Sequence, residues 1–131
     1  MAMGMKVMGV KDLVREARER IEAVEPTAAG DGGGLILDVR EANELEERGR
    51  VPDALHVPRG LLESNADPQS PMANERLTGM RDGGTVDVLC ASGARAAMAA
   101  ATLDRMGYRA RMIEGGLEGW RNAGLPIEGG R

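Results

Sequence analysis

Cys90, the only cysteine of the chain, lies between two segments of different character. The apolar run "VDVL" before it is typical of a buried strand, and the alanine-rich segment after it is typical of a helix. The first amides of a helix have no partner within the helix and can stabilise an anion. Because this environment favours the thiolate, the sequence predicts that Cys90 is a nucleophile.

Residues 90–95, "CASGAR", form what we call the cysteine loop. Gly93 tolerates backbone angles that other residues avoid, and the small side chains let a ligand approach the main chain. Arg95 adds a permanent positive charge with a planar set of donors, which can stabilise a bound anion or brace the loop by pairing with a carboxylate. We therefore predict that Cys90 and Arg95 are catalytic and that the residues between them bind substrate: Ala91, Ser92, Gly93 and Ala94.

Cys90 also has a simpler interpretation, because a free cysteine is often a small buried hydrophobic residue. It would then only end a strand. The single histidine, His56, is not needed as a general base for an ionised thiol, which argues against a cysteine protease with a Cys–His pair. His56 is instead predicted to be a hydrogen-bonded residue in the core or at its rim.

Three further charged residues follow predicted strands. Asp38 and Arg40 end the run "LILDVR", and Arg59 follows the run "ALHVP". The carboxyl ends of parallel strands meet at one edge of a sheet, where ligands bind. We expect Asp38 and Arg40 to support the site, either by orienting the loop or, as the favoured interpretation, in an ion-pair set with Glu44. Arg59 is predicted to attract an anionic substrate at the pocket mouth or to be a solvated loop residue.

The elements that position these residues alternate along the chain. Buried strands are predicted over 35–40, 54–58, 85–90 and 110–113, with a first strand near 6–10. Helices are predicted over 10–26, closed by Pro26, and over 41–49, 72–80, 94–107 and 117–124, whereas 59–71 is predicted to be a loop. This alternation predicts a parallel sheet covered by helices on both faces.

The 131 residues are predicted to form one domain with a core over about 35–128, to which 1–34 add a strand and a helix or a dimerisation element. A net charge of −4 argues against nucleic acid as a partner. No apolar run is long enough to span a bilayer, no signal peptide is visible, and no Cys/His cluster suggests a metal ion. A lone cysteine cannot form an internal disulfide, so we expect a cytoplasmic protein.

Three stretches of the chain together resemble the single-domain rhodaneses, the thiosulfate sulfurtransferase family. They are "LILDVREANELEERGRVPDALHVP", "VDVLCASGARAAMAAATLDRMGY" and "ARMIEGGLEGWRNAGLPIE", all within residues 35–128. The most specific features are Asp38-Val39-Arg40 with Glu44, the six-residue cysteine loop, and Gly115-Gly116 followed by Trp120. Their order and spacing, and not any one of them, carry the resemblance.

The resemblance implies a three-layer α/β sandwich of the rhodanese type, in which a five-stranded parallel sheet has helices on both faces. It also implies a ping-pong reaction. Cys90 would take the outer sulfur of a donor such as thiosulfate, release sulfite, and pass the sulfur from its persulfide to cyanide or a thiol. No cofactor is implied. The partners would be the small anionic donor, the acceptor and, as an alternative, a protein sulfur donor, with the chain as a monomer or homodimer.

Two other functions are compatible with these residues. Phosphatases and arsenate reductases of the cell-cycle type share the fold but have Cys-x5-Arg, whereas this chain has Cys-x4-Arg, a smaller ring that suits a single sulfur atom better than a phosphate. The other alternative is a persulfide carrier or protein-interaction module with little turnover of thiosulfate. Ala91 is relevant to that alternative, because many relatives carry a basic residue at this position. The lack of a positive charge there is expected to weaken thiosulfate binding.

The family pattern also differs in the stretch after the predicted second helix. Arg50 and Asp53 replace a histidine and a glycine that relatives carry there. This stretch supports the loop more than it reacts, so we expect altered local packing and not lost activity.

Overall fold

The computed structural model describes residues 7–131. The strands in this range are β1 (Glu22–Val24), β2 (Leu35–Asp38), β3 (Leu55–His56), β4 (Thr85–Leu89) and β5 (Arg109–Ile113). The helices are α1 (Val10–Arg20), α2 (Ala42–Arg48), α3 (Leu62–Ala66), α4 (Glu75–Thr78), α5 (Ala94–Arg105) and α6 (Gly116–Asn122). None of these helices has the length and hydropathy needed to cross a membrane.

The five strands form one parallel sheet in the order β1-β5-β4-β2-β3, which confirms the predicted sheet. β4 lies in its centre and is buried on both faces, which explains its apolar sequence. The exception is Asp87, which is paired with Arg111 of β5 at 2.7 Å. Because Cys90 directly follows β4, the cysteine loop starts at the carboxyl edge between β2 and β5.

Helices cover both faces of the sheet. On one face, α1, α3, α4 and α5 pack against Val86 and Val88 of the central strand. On the other face, Leu89 and Ile113 pack against Trp120 of α6. The chain is therefore a three-layer α/β sandwich, as predicted.

The prediction of one helix over 10–26 is wrong at its carboxyl end. α1 ends at Arg20, and residues 22–24 form β1, which pairs with β5 at the register Ala23–Met112. Val24, which continues the helical spacing in the sequence, is buried as a strand residue at the sheet edge. An apolar residue in so short a segment fits a helix or a strand equally well. Pairing with the edge of β5 makes this segment a strand.

The prediction of a first strand near 6–10 is wrong where the structure describes it. Lys6 lies outside the described residues, 7–9 have no regular structure, and Val10 begins α1. The amide of Gly9 donates a hydrogen bond of 2.9 Å to the Asp12 carboxylate, which stabilises the start of a helix there.

The prediction of a loop over 59–71 is also wrong in part. A short 3₁₀ turn over Arg59–Leu61 leads into α3 (Leu62–Ala66). Leu62 and Ala66 are four residues apart and both are fully buried, so packing supports this short helix. The proline residues that suggested a loop lie only beyond its end.

Candidate active site

Cys90 is enclosed by its own loop. Its Sγ accepts a hydrogen bond of 3.0 Å from the amide of Gly93, and the residue is only 1% exposed. Gly93 has a φ of +122°, and a Cβ there would lie 3.2 Å from Cε of Met112, so the turn suits glycine. The thiol is as buried as expected for a cysteine that is only a small hydrophobic core residue. However, it contacts a polar amide at the start of α5.

Further main-chain donors in the loop are available to a ligand. Among the described residues, the amides of Ala91, Ser92, Ala94 and Arg95 donate to no protein acceptor. Unpaired amides at a helix start are the groups that bind anions in proteins. The loop therefore holds four amides without a protein acceptor in addition to the Gly93 amide that contacts Sγ.

The first turn of α6 holds the loop from the other side. The amide of Leu117 donates to the carbonyl of Cys90 at 2.8 Å, and the amide of Glu118 donates to the carbonyl of Ala91 at 3.3 Å. This close approach requires Gly116, since a Cβ there would lie 2.5 Å from the Cys90 oxygen. The two carbonyls are thus occupied by α6, and the amides of the loop remain available.

Arg95 braces the loop against α2. Its two terminal nitrogens each donate a hydrogen bond of 2.7 Å to the Glu44 carboxylate. These bonds are the largest cause of the lowering of the Glu44 pKa from 4.5 to about 2, to which the Glu41 amide and the charge of Arg40 also contribute. The Glu44 carboxylate in turn raises the pKa of Arg95. Glu44 also accepts the Glu41 amide at 2.7 Å, so it caps α2 as well.

Asp38 and Arg40 form a separate buried pair, which corrects the expected ion-pair set with Glu44. Arg40 donates to Asp38 at 2.7 Å and to the carbonyl of Gly49 at 2.9 Å, and both side chains are 1% exposed. His56 Nε2 donates to the Arg40 carbonyl at 2.7 Å, in agreement with a hydrogen-bonded rim residue. No hydrogen bond within the described residues joins Asp38 or Arg40 to the cysteine loop, and of the two only Arg40 lines the cavity beside that loop.

A cavity of about 280 Å³ lies beside the cysteine loop, between α2 and α6. Two small or apolar residues and six charged residues line it: Ala91, Leu117, Arg40, Glu44, Glu47, Arg48, Glu118 and Arg121. Sequence reasoning did not select the last charged residues of α2 or those of α6, because nothing in their local pattern distinguishes them from ordinary surface charges. Their place in the cavity wall follows only from the packing of the two helices.

Arg59 lies away from this cavity. Its guanidinium pairs with Glu63 at 3.0 Å and reaches the Thr102 hydroxyl at 3.4 Å. It lines a different groove, formed by α1 and α5. The structure therefore does not place Arg59 at the mouth of the cavity beside Cys90.

Comparison with known proteins agrees with this geometry. Residues 14–123 match the sequence model of the "Rhodanese-like domain" family. The chain belongs to the rhodanese-like family. A "Sulfurtransferase" of Allochromatium vinosum is 35% identical over 94 residues, which cover 71% of this chain and 77% of that protein. A "Putative sulfur carrier protein" of Bacillus subtilis is 32% identical over 68% of this chain and 42% of its own length, so the rhodanese-like chain spans less than half of that relative.

Two solved structures show the same rhodanese-like fold. One is a Rhodopseudomonas palustris protein of unknown function, described as a "Possible Tyrosine Phosphatase", with a TM-score of 0.85, 34% identity and coverage of 97% of this chain and 100% of its own. The other is a "Probable Thiosulfate Sulfurtransferase" with a TM-score of 0.64 and 30% identity, covering 85% of this chain and 48% of its own. The family resemblance seen in the sequence is thus confirmed.

Proposed function

We propose that this rhodanese-like chain is a sulfurtransferase that carries a sulfane sulfur as a persulfide on Cys90. The observation that supports this most directly is the 3.0 Å contact between Cys90 Sγ and the Gly93 amide at the start of α5. The unpaired amides of the same loop can stabilise the thiolate, an anionic donor and the persulfide in turn. A lone thiol that must stay reduced suits a cytoplasmic setting.

The reaction proceeds in two displacements. The Cys90 thiolate attacks the outer sulfur of a donor such as thiosulfate, the S–S bond of the donor breaks, and sulfite leaves with the electron pair. A thiophilic acceptor, cyanide or a thiolate, then attacks the outer sulfur of the persulfide. The second S–S bond breaks and its electron pair returns to Sγ, which restores the free enzyme.

Phosphatase chemistry is the less favoured assignment for this loop. Arg95 donates both terminal nitrogens to Glu44, so its guanidinium is not free to hold a phosphate without breaking that pair. The Cys-x4-Arg ring is also one residue shorter than the phosphatase loop. We expect no hydrolysis of p-nitrophenyl phosphate above the level of a Cys90→Ser variant.

A persulfide carrier with little thiosulfate turnover is the second candidate. The name of the Bacillus subtilis relative favours it, as does the neutral Ala91 beside the cysteine. A carrier would receive its sulfur from another protein and pass it on. Its chemistry at Cys90 would be the same, and only the donor and the turnover would differ.

Mass spectrometry together with a steady-state assay tests the proposal. Incubation with thiosulfate should add one sulfur atom to the chain, and because Cys90 is the only cysteine, the position is unambiguous. Turnover with thiosulfate and cyanide that disappears in Cys90→Ser supports the enzyme. Loading by a protein donor without thiosulfate turnover supports the carrier. A chain that gains no sulfur from thiosulfate, polysulfide or a protein donor would overturn the assignment.

A further inference from the structure

The first turns of α1 carry apolar side chains that the core does not cover. Val10 is 64% exposed and Leu13 is 46% exposed, and Val7, just before the helix, is 93% exposed. The second half of the helix is attached to the domain, because Ala17 is buried in the core. Apolar side chains that cluster in water at one place often mark an interaction surface.

A groove of about 540 Å³ runs along this part of α1, beside the start of α5. We call it the α1 groove. Val10, Val14 and Ala94 supply its apolar lining, and its charged lining residues are Lys11, Arg15, Arg18 and Glu19. It lies apart from the cavity between α2 and α6, since the two share no lining residue.

We infer that the α1 groove is the contact surface between two copies of this chain, whose α1 helices pack antiparallel around a twofold axis at the level of Arg15. This inference goes beyond the proposed function and does not depend on it. In such an interface the same patch serves both copies, so every contact occurs twice. The patch must therefore be complementary to itself in shape and in charge.

The charges of the α1 groove meet this condition. Lys11 and Glu19 form no salt bridge within residues 7–131. They are eight residues apart, about 12 Å along the helix axis. In an antiparallel pair, Lys11 comes level with Glu19 of the partner subunit, and the reverse pair forms by symmetry. A parallel pair would instead place each lysine level with another lysine.

The packing of the two helices agrees with the same arrangement. Lys11, Arg15 and Glu19 lie four residues apart and form one ridge of the helix surface. Helices in globular proteins most often pack with such ridges side by side. The ridge of the second copy then lies beside the first in reverse order, and Val14, one residue from the level of the axis, comes close to its own copy.

The two arginines of the groove already have partners. Arg15 pairs with Asp12 at 2.9 Å, and Arg18 pairs with Glu114 at 3.3 Å. The two copies of Arg15 therefore meet near the axis with their charges compensated. This leaves Lys11 and Glu19 as one free charge of each sign, so a partner of a single sign would match only one of them, whereas a second copy matches both.

A charge exchange tests the inference. The dimer dissociation constant is measured by sedimentation equilibrium over a wide range of protein concentration. A reductant is present, so that Cys90 cannot cross-link two chains. The variants are Lys11→Glu, Glu19→Lys and the double variant that carries both. The first change places an acid near the start of α1 and the second a base near its end, which suits the helix dipole and preserves the helix.

Each single variant should weaken the dimer, because two ion pairs become two like-charge contacts. We expect the dissociation constant to rise about five- to thirtyfold. The double variant restores both pairs with exchanged signs and should return to within about twofold of wild type. Val10→Glu, which adds an unpaired charge to the groove, should weaken the dimer by about tenfold or more. Glu16→Lys is the control, because this exposed residue of the same helix does not line the groove.

The results that contradict the inference are equally defined. A wild-type chain that stays monomeric up to its solubility limit would overturn it. A dimer that the single variants do not weaken, that the double variant does not restore, or that Glu16→Lys weakens as much would also overturn it. Uptake of sulfur on Cys90, measured by mass in the same variants, tests the proposed function separately, so the failure of one is distinguishable from the failure of the other.

Discussion

The pair between Glu44 and Arg95 is the contact through which α2 holds the cysteine loop, and Glu44→Gln tests that role. Glutamine keeps the size of the side chain and can still accept the amide of Glu41, but it carries no charge. We expect the variant to be less stable and to form the Cys90 persulfide more slowly, because the loop is then held less firmly around the sulfur.

The structure sets the magnitude of this effect. Glu44 accepts two hydrogen bonds of 2.7 Å from Arg95. Together with the Glu41 amide and the charge of Arg40 they lower its pKa from 4.5 to about 2, so the pair with Arg95 accounts for at most about 3 kcal/mol. The side chain of Arg95 is 35% exposed and that of Glu44 is 26% exposed. Because solvent screens such a pair, we expect a loss of about 1–2 kcal/mol in the free energy of unfolding at neutral pH.

The pH dependence of stability gives the sharper test. The pKa of Glu44 is lower in the folded chain, so the pair contributes fully above pH 4.5 and the contribution is lost as the pH falls towards 2. Urea unfolding should therefore show a difference between wild type and Glu44→Gln that shrinks over this interval. Glu46→Gln, an exposed change on the same helix, should cost less than about 0.5 kcal/mol. Equal effects of the two variants, or a difference that persists at low pH, would refute this account.

Three further substitutions have defined outcomes. Gly116→Ala should reduce persulfide formation by about tenfold or more, because its Cβ would lie 2.5 Å from a main-chain oxygen of the cysteine loop. Gly124→Ala, at a positive φ but in open space, should leave the rate unchanged, and equal rates in the two variants would contradict the packing argument. Asp38→Asn should destabilise the chain by about 3–5 kcal/mol in urea, because it leaves the buried Arg40 without a counter-charge, and a loss typical of a surface change would argue against this. Asp53→Gly should stabilise the chain by about 0.5–1 kcal/mol, since Asp53 has a φ of +64°, and a lower Tm would exclude strain there.

Local sequence patterns predicted the parts of the fold that depend on local properties. The runs that form β2 and β4 are mostly apolar because both faces of these strands are buried. α5 begins at Ala94, within the cysteine loop, where the alanine-rich composition predicted the start of a helix. The strand-to-helix position of Cys90 followed from these two neighbours, so Cys90 was selected as the candidate nucleophile without tertiary information.

Elements that depend on distant partners were missed or assigned incorrectly. β1 has three residues, and only its pairing with β5 makes it a strand. α3 is short, and only the burial of Leu62 and Ala66 supports it. Glu44 was grouped with Asp38 and Arg40, which are near it in sequence, but its partner is Arg95, 51 residues away. A single sequence does not contain the distances that decide such pairings.

The residues that line the cavity show the same limit of a single sequence. Arg121 and the carbonyl of Arg48 are 73 residues apart, and both residues have the exposed character of ordinary surface charges. The family resemblance predicted weaker binding of an anionic donor, because Ala91 stands next to Cys90 where many relatives carry a basic residue. The fold instead brings the guanidinium of Arg121 to the same cavity from α6, together with carboxylates that a basic residue at position 91 would not supply. The side chains that line the cavity therefore come from two helices that only the fold brings together, and no local pattern in either helix could assign them to one cavity.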